Sequence, residues 1–402
     1  MINLRNADVL TDVGVIPDNA RLFTYTLIKL AMRCNLDCTY CYWFRDKSVY
    51  ERPALLTLAA EDAYVGRLTE HIRRYGLKTF SIIFHGGEPL LFGKRRFDSF
   101  CRKLRQVERE ENIALKLSLT SNGVLVDREW ADLFKRHNVR MTISIDGPKN
   151  VHDAVRKDLR GRGTLQKTVD AFHLLREMDV SVGVLAVCDP QSDPFETCEY
   201  FVEELEIRNF DILIPDANHE SPPPSIAAYY KRLFELWYDR YAPQGVEIRL
   251  MESITKGLLG ANSRSESLGY GPATTATLLT DGSLEPLDVL RTAGYQFTKT
   301  NLNVFEHDLQ ALADDPLYQE VLRASLRLAP ECRACQYHFA CGGGHIASRW
   351  STENRFDNPS VYCDDFKQIF DYAWRRIRSD LQIETGDGLL PLTTALSENR
   401  PT

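Results

Sequence analysis

Three cysteines stand close together in the segment CNLDCTYCYW: Cys34, Cys38 and Cys41. Thiolates ligate iron–sulfur clusters, and close spacing lets one short loop wrap a cube. Three thiolates leave one iron of a [4Fe–4S] cube without a protein ligand. An open position is the mark of a catalytic metal site, and its natural occupant is a small chelating molecule. Zinc is the competing ion, but a zinc site would normally have a fourth ligand nearby. A second group, Cys332, Cys335, Cys341 and Cys363, places three cysteines close together and one further on. That is enough to close a cube completely; a four-cysteine structural zinc site is the alternative. Cys101, Cys188 and Cys198 are scattered over segments that read as helix or strand, where buried free thiols are common.

The elements that must position these residues can be read from periodicity. Short apolar, β-rich runs bounded by turn residues recur: FTYTLIKLAM, TFSIIFHGG, LKLSLTSNG, VRMTISIDG, VSVGVLAV and FDILIPD. Segments of helical period lie between them, among them TLAAEDAYVGRLTEHIRRYG, DREWADLFKRHN and SIAAYYKRLFELWYDRYA. Six strands alternating with helices predict βαβ units and a parallel sheet, which right-handed crossovers curl into a partial (β/α)6 TIM-like barrel. In such barrels chemistry sits at the C-terminal ends of the strands. Here those ends carry the three-cysteine loop, HGGEP (His85 to Pro89), TSNG (Thr120 to Gly123) and SIDG (Ser144 to Gly147), with Arg156 beyond. After about residue 260 the alternation stops and the second cysteine group appears, which predicts a smaller domain built around a ligand rather than a large apolar core.

Bulk properties exclude several classes. The chain has 402 residues and a net charge of −7, with no reason to expect nucleic acid as a partner. No run approaches a membrane span. The N-terminal stretch MINLRNADVLTDVG has no apolar core and is not a signal peptide. Ten cysteines in a chain expected to be cytoplasmic call for metal chemistry rather than disulfides.

With CxxxCxxC after the first strand, an aromatic residue just beyond, and GGEP ending the next, the chain resembles the radical S-adenosylmethionine (radical SAM) superfamily. The resemblance implies that Cys34, Cys38 and Cys41 hold a [4Fe–4S] cluster whose open iron binds the methionyl amine and carboxylate. It implies Tyr40 near the adenine. Gly86, Gly87 and Glu88 would receive the methionine amine, the carboxylate balancing the ammonium. Ser144 and Arg156 match ribose and carboxylate contacts in relatives that mature peptides and sulfatases. Asn122 faces the same rim, or is a turn residue ending its strand. His85 is a ligand contact or a hydrogen-bonded structural histidine.

The segment CRACQYHFACGGGH with Cys363 resembles the SPASM/twitch type of auxiliary-cluster domain. Cys332, Cys335, Cys341 and Cys363 match the ligands of one auxiliary cluster. The pattern departs at the inner cluster: His345 and Leu287 stand where cysteines are expected, and residues 264–300 contain none. Two clusters are therefore expected, one binding S-adenosylmethionine and one auxiliary. Asp288 follows Leu287 where sulfatase-maturating relatives place a base; a solvated turn aspartate is the other reading. CGGGHIASRW, FDNPSVYC, LIPDANHESPPP and MESITKGLLG further resemble maturases that join an aromatic ring to a nearby carbon, giving cyclophanes.

The expected activity is hydrogen abstraction from a residue of a ribosomally made precursor peptide, at Cβ, followed by cross-linking to an aromatic ring. Thioether formation, epimerisation or formylglycine-type oxidation are the alternatives. The expected partners are the precursor peptide and an electron donor such as flavodoxin or ferredoxin. The expected organisation is an N-terminal extension (1–22), the barrel (23–240), a bridging segment (241–270), the auxiliary-cluster domain (271–370), and a C-terminal helix and tail (371–402). About twenty residues before the first strand are too few for a leader-recognition domain.

Overall fold

A computed structural model describes residues 22–261, 267–272, 274–294 and 297–381. The expected extension up to residue 21 and the tail past 381 lie outside the described residues. The chain divides into two compact units. One holds the described residues of 22–185 and 274–320; the other holds those of 186–272 and 321–381.

Nine strands are present among the described residues: β1 (Tyr25–Ala31), β2 (Thr79–Gly86), β3 (Ala114–Ser121), β4 (Val139–Ser144), β5 (Val182–Val187), β6 (Asn209–Leu213), β7 (Glu247–Ile248), β8 (Ala276–Leu278) and β9 (Leu284–Glu285). The first six coincide with the six runs picked out by composition. In the first unit the order is β5-β4-β3-β2-β1-β8-β9. All neighbours there are parallel except β8 and β9. In the second unit β6 pairs with β7, also parallel. The fold class is the expected α/β arrangement around a parallel sheet.

Pattern explains placement. β3 alternates, with Leu115, Leu117 and Leu119 buried toward the helices and the intervening residues less so. The helix Lys94–Glu110 answers with a stripe of Phe97, Phe100, Cys101, Leu104 and Val107. Phe97 and Phe100 meet Phe84 of β2 edge-on, ring centroids 5.3 and 5.8 Å apart. The helix Leu58–Tyr75 begins at Thr57, whose side chain accepts from the Ala60 N–H, and ends on the left-handed Gly76. β1 is different: Ile28 to Ala31 are all buried, including Lys29, which is fully buried in the middle of the strand.

The second unit has an apolar core of its own, part of it from a helix expected in the barrel. The helix Ala227–Leu236 and the helix Cys363–Asp380 pack together and bury Tyr229, Tyr230, Phe234, Phe366, Phe370 and Trp374. The segment after β5 supplies half of this core, so the cysteine-bearing residues do not depend on a ligand alone for burial.

Candidate active site

Parallel strands end at one rim, and the first unit places its polar residues there. The cysteine loop leaves β1 and is tied down by main-chain bonds. Asp37 N donates to Lys157 O (2.8 Å), and Thr39 N to Val155 O (3.1 Å). Cys34, Cys38 and Cys41 are each partly exposed. The GGEP turn packs directly on the start of this loop. Gly87 N donates to Ala31 O and Glu88 N to Arg33 O, both at 2.9 Å. A Cβ on Gly86 would strike the Ala31 carbonyl, and one on Gly87 the Arg33 carbonyl. The close approach these glycines permit is thus to the main chain that leads into the cysteines.

Glu88 is fully buried. Its carboxylate accepts from Ser121 Oγ (2.9 Å), Asn122 N (2.9 Å) and Leu90 N (3.0 Å). Burial raises it to about 7 against the pull of those bonds. Asn122 bridges back to the loop: Nδ2 donates to Asn35 Oδ1 (2.8 Å) and lies 3.8 Å from Cys34 Sγ. Asn122 is therefore more than a turn residue. Tyr40 donates to Asp146 Oδ2 (2.7 Å), and Arg156 Nε donates to the same oxygen (2.8 Å), its guanidinium lying 5.4 Å from the Tyr40 ring centroid. Ser144, the last residue of β4, is largely buried beside them in sequence. Asp146 was missed by sequence reasoning, although it sits within the SIDG motif.

A second cluster lies on the same unit. Register pairs Lys29 of β1 with His85 of β2, so their side chains share a face. Lys29 Nζ donates to His85 Nδ1 (3.0 Å) and to the Asp288 carboxylate. Tyr42 donates to Asp288 Oδ2 at 2.7 Å. Asp288 is buried, not a solvated turn residue. Burial opposes its ionisation, but the Lys29 ammonium and the two donors outweigh it and hold the carboxyl below the usual range. Burial and the neighbouring Lys29 push His85 down to about 3, so it is neutral and accepts. Lys29 Nζ also stands 4.1 Å from the Trp43 ring centroid, with the Arg291 guanidinium 4.7 Å from the same ring. Lys29 was also missed, yet a lone lysine inside LIKLA was the signal.

In the second unit Cys332, Cys335, Cys341 and Cys363 line one cavity of about 360 Å³, with Tyr337 and His338. Among the described residues no three His, Cys, Asp or Glu side chains gather closely enough for a single metal ion.

Residues 28–196 match the radical SAM superfamily. This segment is a radical SAM domain. The cysteine-type anaerobic sulfatase-maturating enzyme of Clostridium perfringens (strain 13 / Type A) is 27% identical over 360 residues, 86% of this chain and 94% of that protein. The serine-type anaerobic sulfatase-maturating enzyme of Klebsiella aerogenes is 31% identical over 163 residues, 38% of this chain and 37% of that protein. A solved structure of anSMEcpe with bound AdoMet and the Kp18Cys peptide matches with a TM-score of 0.78 at 24% identity, covering 89% of this chain and 99% of that one. The likeness to that structure is one of fold. The protein is a radical SAM enzyme.

The donor sets fit the groups this family uses. Burial pushes the Cys34 thiol up to about 12 and Cys38 up to about 11. Cys341 and Cys332 are raised by burial to about 12 and 11. Such thiols become ligands only where a strongly cationic centre holds them as thiolates. The cavity ringed by four thiols has room for a cube. No helix among the described residues is long and apolar enough to cross a membrane.

Proposed function

We propose that this enzyme matures a ribosomally made peptide by radical oxidation of one residue, forming a cross-link from that residue's Cβ to an aromatic side chain. When bound, S-adenosylmethionine and the cluster on Cys34, Cys38 and Cys41 supply the 5′-deoxyadenosyl radical that removes the hydrogen. The chain's residues do the rest. Gly86, Gly87 and Glu88 receive the methionine amine, Ser144 and Arg156 the ribose and carboxylate, and Tyr40 lies by the adenine. Asn122 steadies the cysteine loop at Asn35. Asp288 takes the proton released as the ring regains aromaticity, and Lys29 and Tyr42 keep it ionised and aimed. Cys332, Cys335, Cys341 and Cys363 would hold an auxiliary cluster, which would supply a one-electron acceptor for the oxidation. A flavodoxin or ferredoxin supplies reducing electrons.

The observation that carries the reading is the buried, ionised Asp288 clamped by Lys29 and Tyr42. An ionised carboxylate in a dry site offers a lone pair for the proton that a net oxidation must dispose of, although the Lys29 ammonium makes it a weaker base than a free aspartate. A second reading, formylglycine-type oxidation of cysteine or serine, is favoured by the 27% identity across nearly all of a cysteine-type sulfatase-maturating enzyme. Leu287 and His345, in place of inner-cluster cysteines, weigh toward the first.

The test is anaerobic coexpression with short peptides encoded beside the gene, followed by mass and fragmentation analysis. A cross-link loses two hydrogens and blocks fragmentation between the joined residues. An aldehyde captured by hydroxylamine would establish the second reading instead. An unchanged mass with inverted stereochemistry would overturn both.

A further inference from the structure

We propose that Arg349 is the buried counter-cation of the auxiliary cluster and biases that cluster toward its reduced form. The inference rests on the reading that Cys332, Cys335, Cys341 and Cys363 hold a [4Fe–4S] cluster.

Arg349 is 1% exposed, and the next largest fully buried side chain after Trp43. Its guanidinium donates to Ala324 O from Nη1 (2.7 Å), to Asn358 O from Nε (3.0 Å) and to Arg327 O from Nη2 (3.4 Å). All three acceptors are neutral main-chain carbonyls. No ion pair to a carboxylate accompanies them among the described residues. A buried guanidinium that no carboxylate touches costs several kcal/mol, which carbonyl dipoles offset only in part. The acidic groups near enough to act on it are Cys332 first, then Asp357 and Cys341.

The main chain agrees with this placement. Gly343, two residues after Cys341, has a φ of +79° and lies against the guanidinium, so that a Cβ there would come 3.4 Å from Arg349 Nη1. A Cβ would also come 3.1 Å from Leu328, which packs with Cys332 in one apolar cluster. The segment bearing Cys341 thus borders Arg349 at Gly343, and the chain leading to Cys332 borders it through Arg327 O.

A cube held by four thiolates carries two negative charges when oxidised and three when reduced. A fixed cation stabilises the more negative state more, and burial keeps solvent from screening the effect. Arginine suits the role because it stays protonated in a buried site. The electron comes from the substrate radical in the proposed reaction, after its proton has passed to Asp288. Lys367, four residues after Cys363, is half exposed and lies 3.8 Å from Asp364 Oδ1, so it adds a weaker and screened charge.

The experiment is a potentiometric titration followed by electron paramagnetic resonance, with dithionite as reductant. It uses the full chain carrying Cys34→Ala, Cys38→Ala and Cys41→Ala, so that one cluster remains. Iron and sulfide are counted first: a protein that binds zinc alone, or no metal, overturns the cluster reading, separately from the role of Arg349. With iron in place, R349Q is expected to weaken the preference for the reduced form tenfold, about 59 mV for a one-electron couple. R349K is expected to stay within threefold of the parent, because the charge is kept. An R349Q protein with full iron and an unmoved midpoint makes Arg349 a scaffold only and overturns the proposal. If R349Q cannot hold iron, R349K decides. A midpoint within threefold of the parent supports the charge role, and a tenfold fall overturns it.

Discussion

At the scale of single residues, a buried ion pair joins Lys29 and Asp288. Removing Lys29 alone leaves Asp288 charged and unpaired, which costs about 3–5 kcal/mol, whereas removing both partners is far less harmful. D288N is expected to release 5′-deoxyadenosine at near the parent rate while peptide product falls 10²- to 10⁴-fold, the usual share of a positioned base. K29M/D288N is expected to regain most of the stability that K29M loses, with product still absent; parallel denaturation and product assays check this. His85 offers a pH test. Its native pKa of about 3 lies below the ordinary 6.5, so the unfolded chain binds the extra proton between those values. Stability contributed by neutral His85 is whole above 6.5 and is lost as pH falls. At pH 5.5 the deficit is about 1.4 kcal/mol. H85Q is expected to lack that portion when urea midpoints are compared at pH 5.5 and 7.5. A larger fall in H85Q than in the parent would sink the assignment.

At the scale of elements, the β1–β2 junction and the GGEP turn hold the cysteine loop in place. G87A pushes a methyl group into the Arg33 carbonyl just ahead of Cys34. It is expected to bind about half the iron of the parent, keeping the auxiliary share and losing 5′-deoxyadenosine formation. Iron analysis and nucleoside chromatography check both. Much of this level was legible in the sequence. The six leading strands, the three-cysteine loop and the polar strand ends could be read from alternation and spacing, because parallel strands put their C-terminal ends on one rim. The roles of Gly86 and Gly87 could not be read in full, since what a glycine lies against depends on a neighbouring chain.

At the scale of the whole molecule, the two units lean on their ligands to different degrees. The first rests on a sheet of long strands backed by amphipathic helices. In the second, Cys332 and Cys341 sit on four-residue helices, Pro330–Arg333 and His338–Cys341, too short to be stable alone, while Cys363 opens the long helix Cys363–Asp380. Stripping iron with a chelator under anaerobic conditions is expected to speed amide hydrogen exchange over residues 330–345 by 10-fold or more. Strands β2 to β4 should keep their protection. Equal loss across both would contradict this division.

The sequence by itself carried the candidate chemistry: three closely spaced thiols, a second group of four, and a parallel α/β scaffold. These follow from local spacing, because adjacent ligands need only a short loop and periodicity needs only one element. It also carried the departure at Leu287 and His345. Only the tertiary structure decided the electrostatics. Lys29 and Asp288 are separated by 259 positions, yet they form a buried pair. Arg349 is a buried cation held by carbonyls from two segments. The charge state of such groups depends on what surrounds them in space, through desolvation and the field of neighbours brought in from distant parts of the chain.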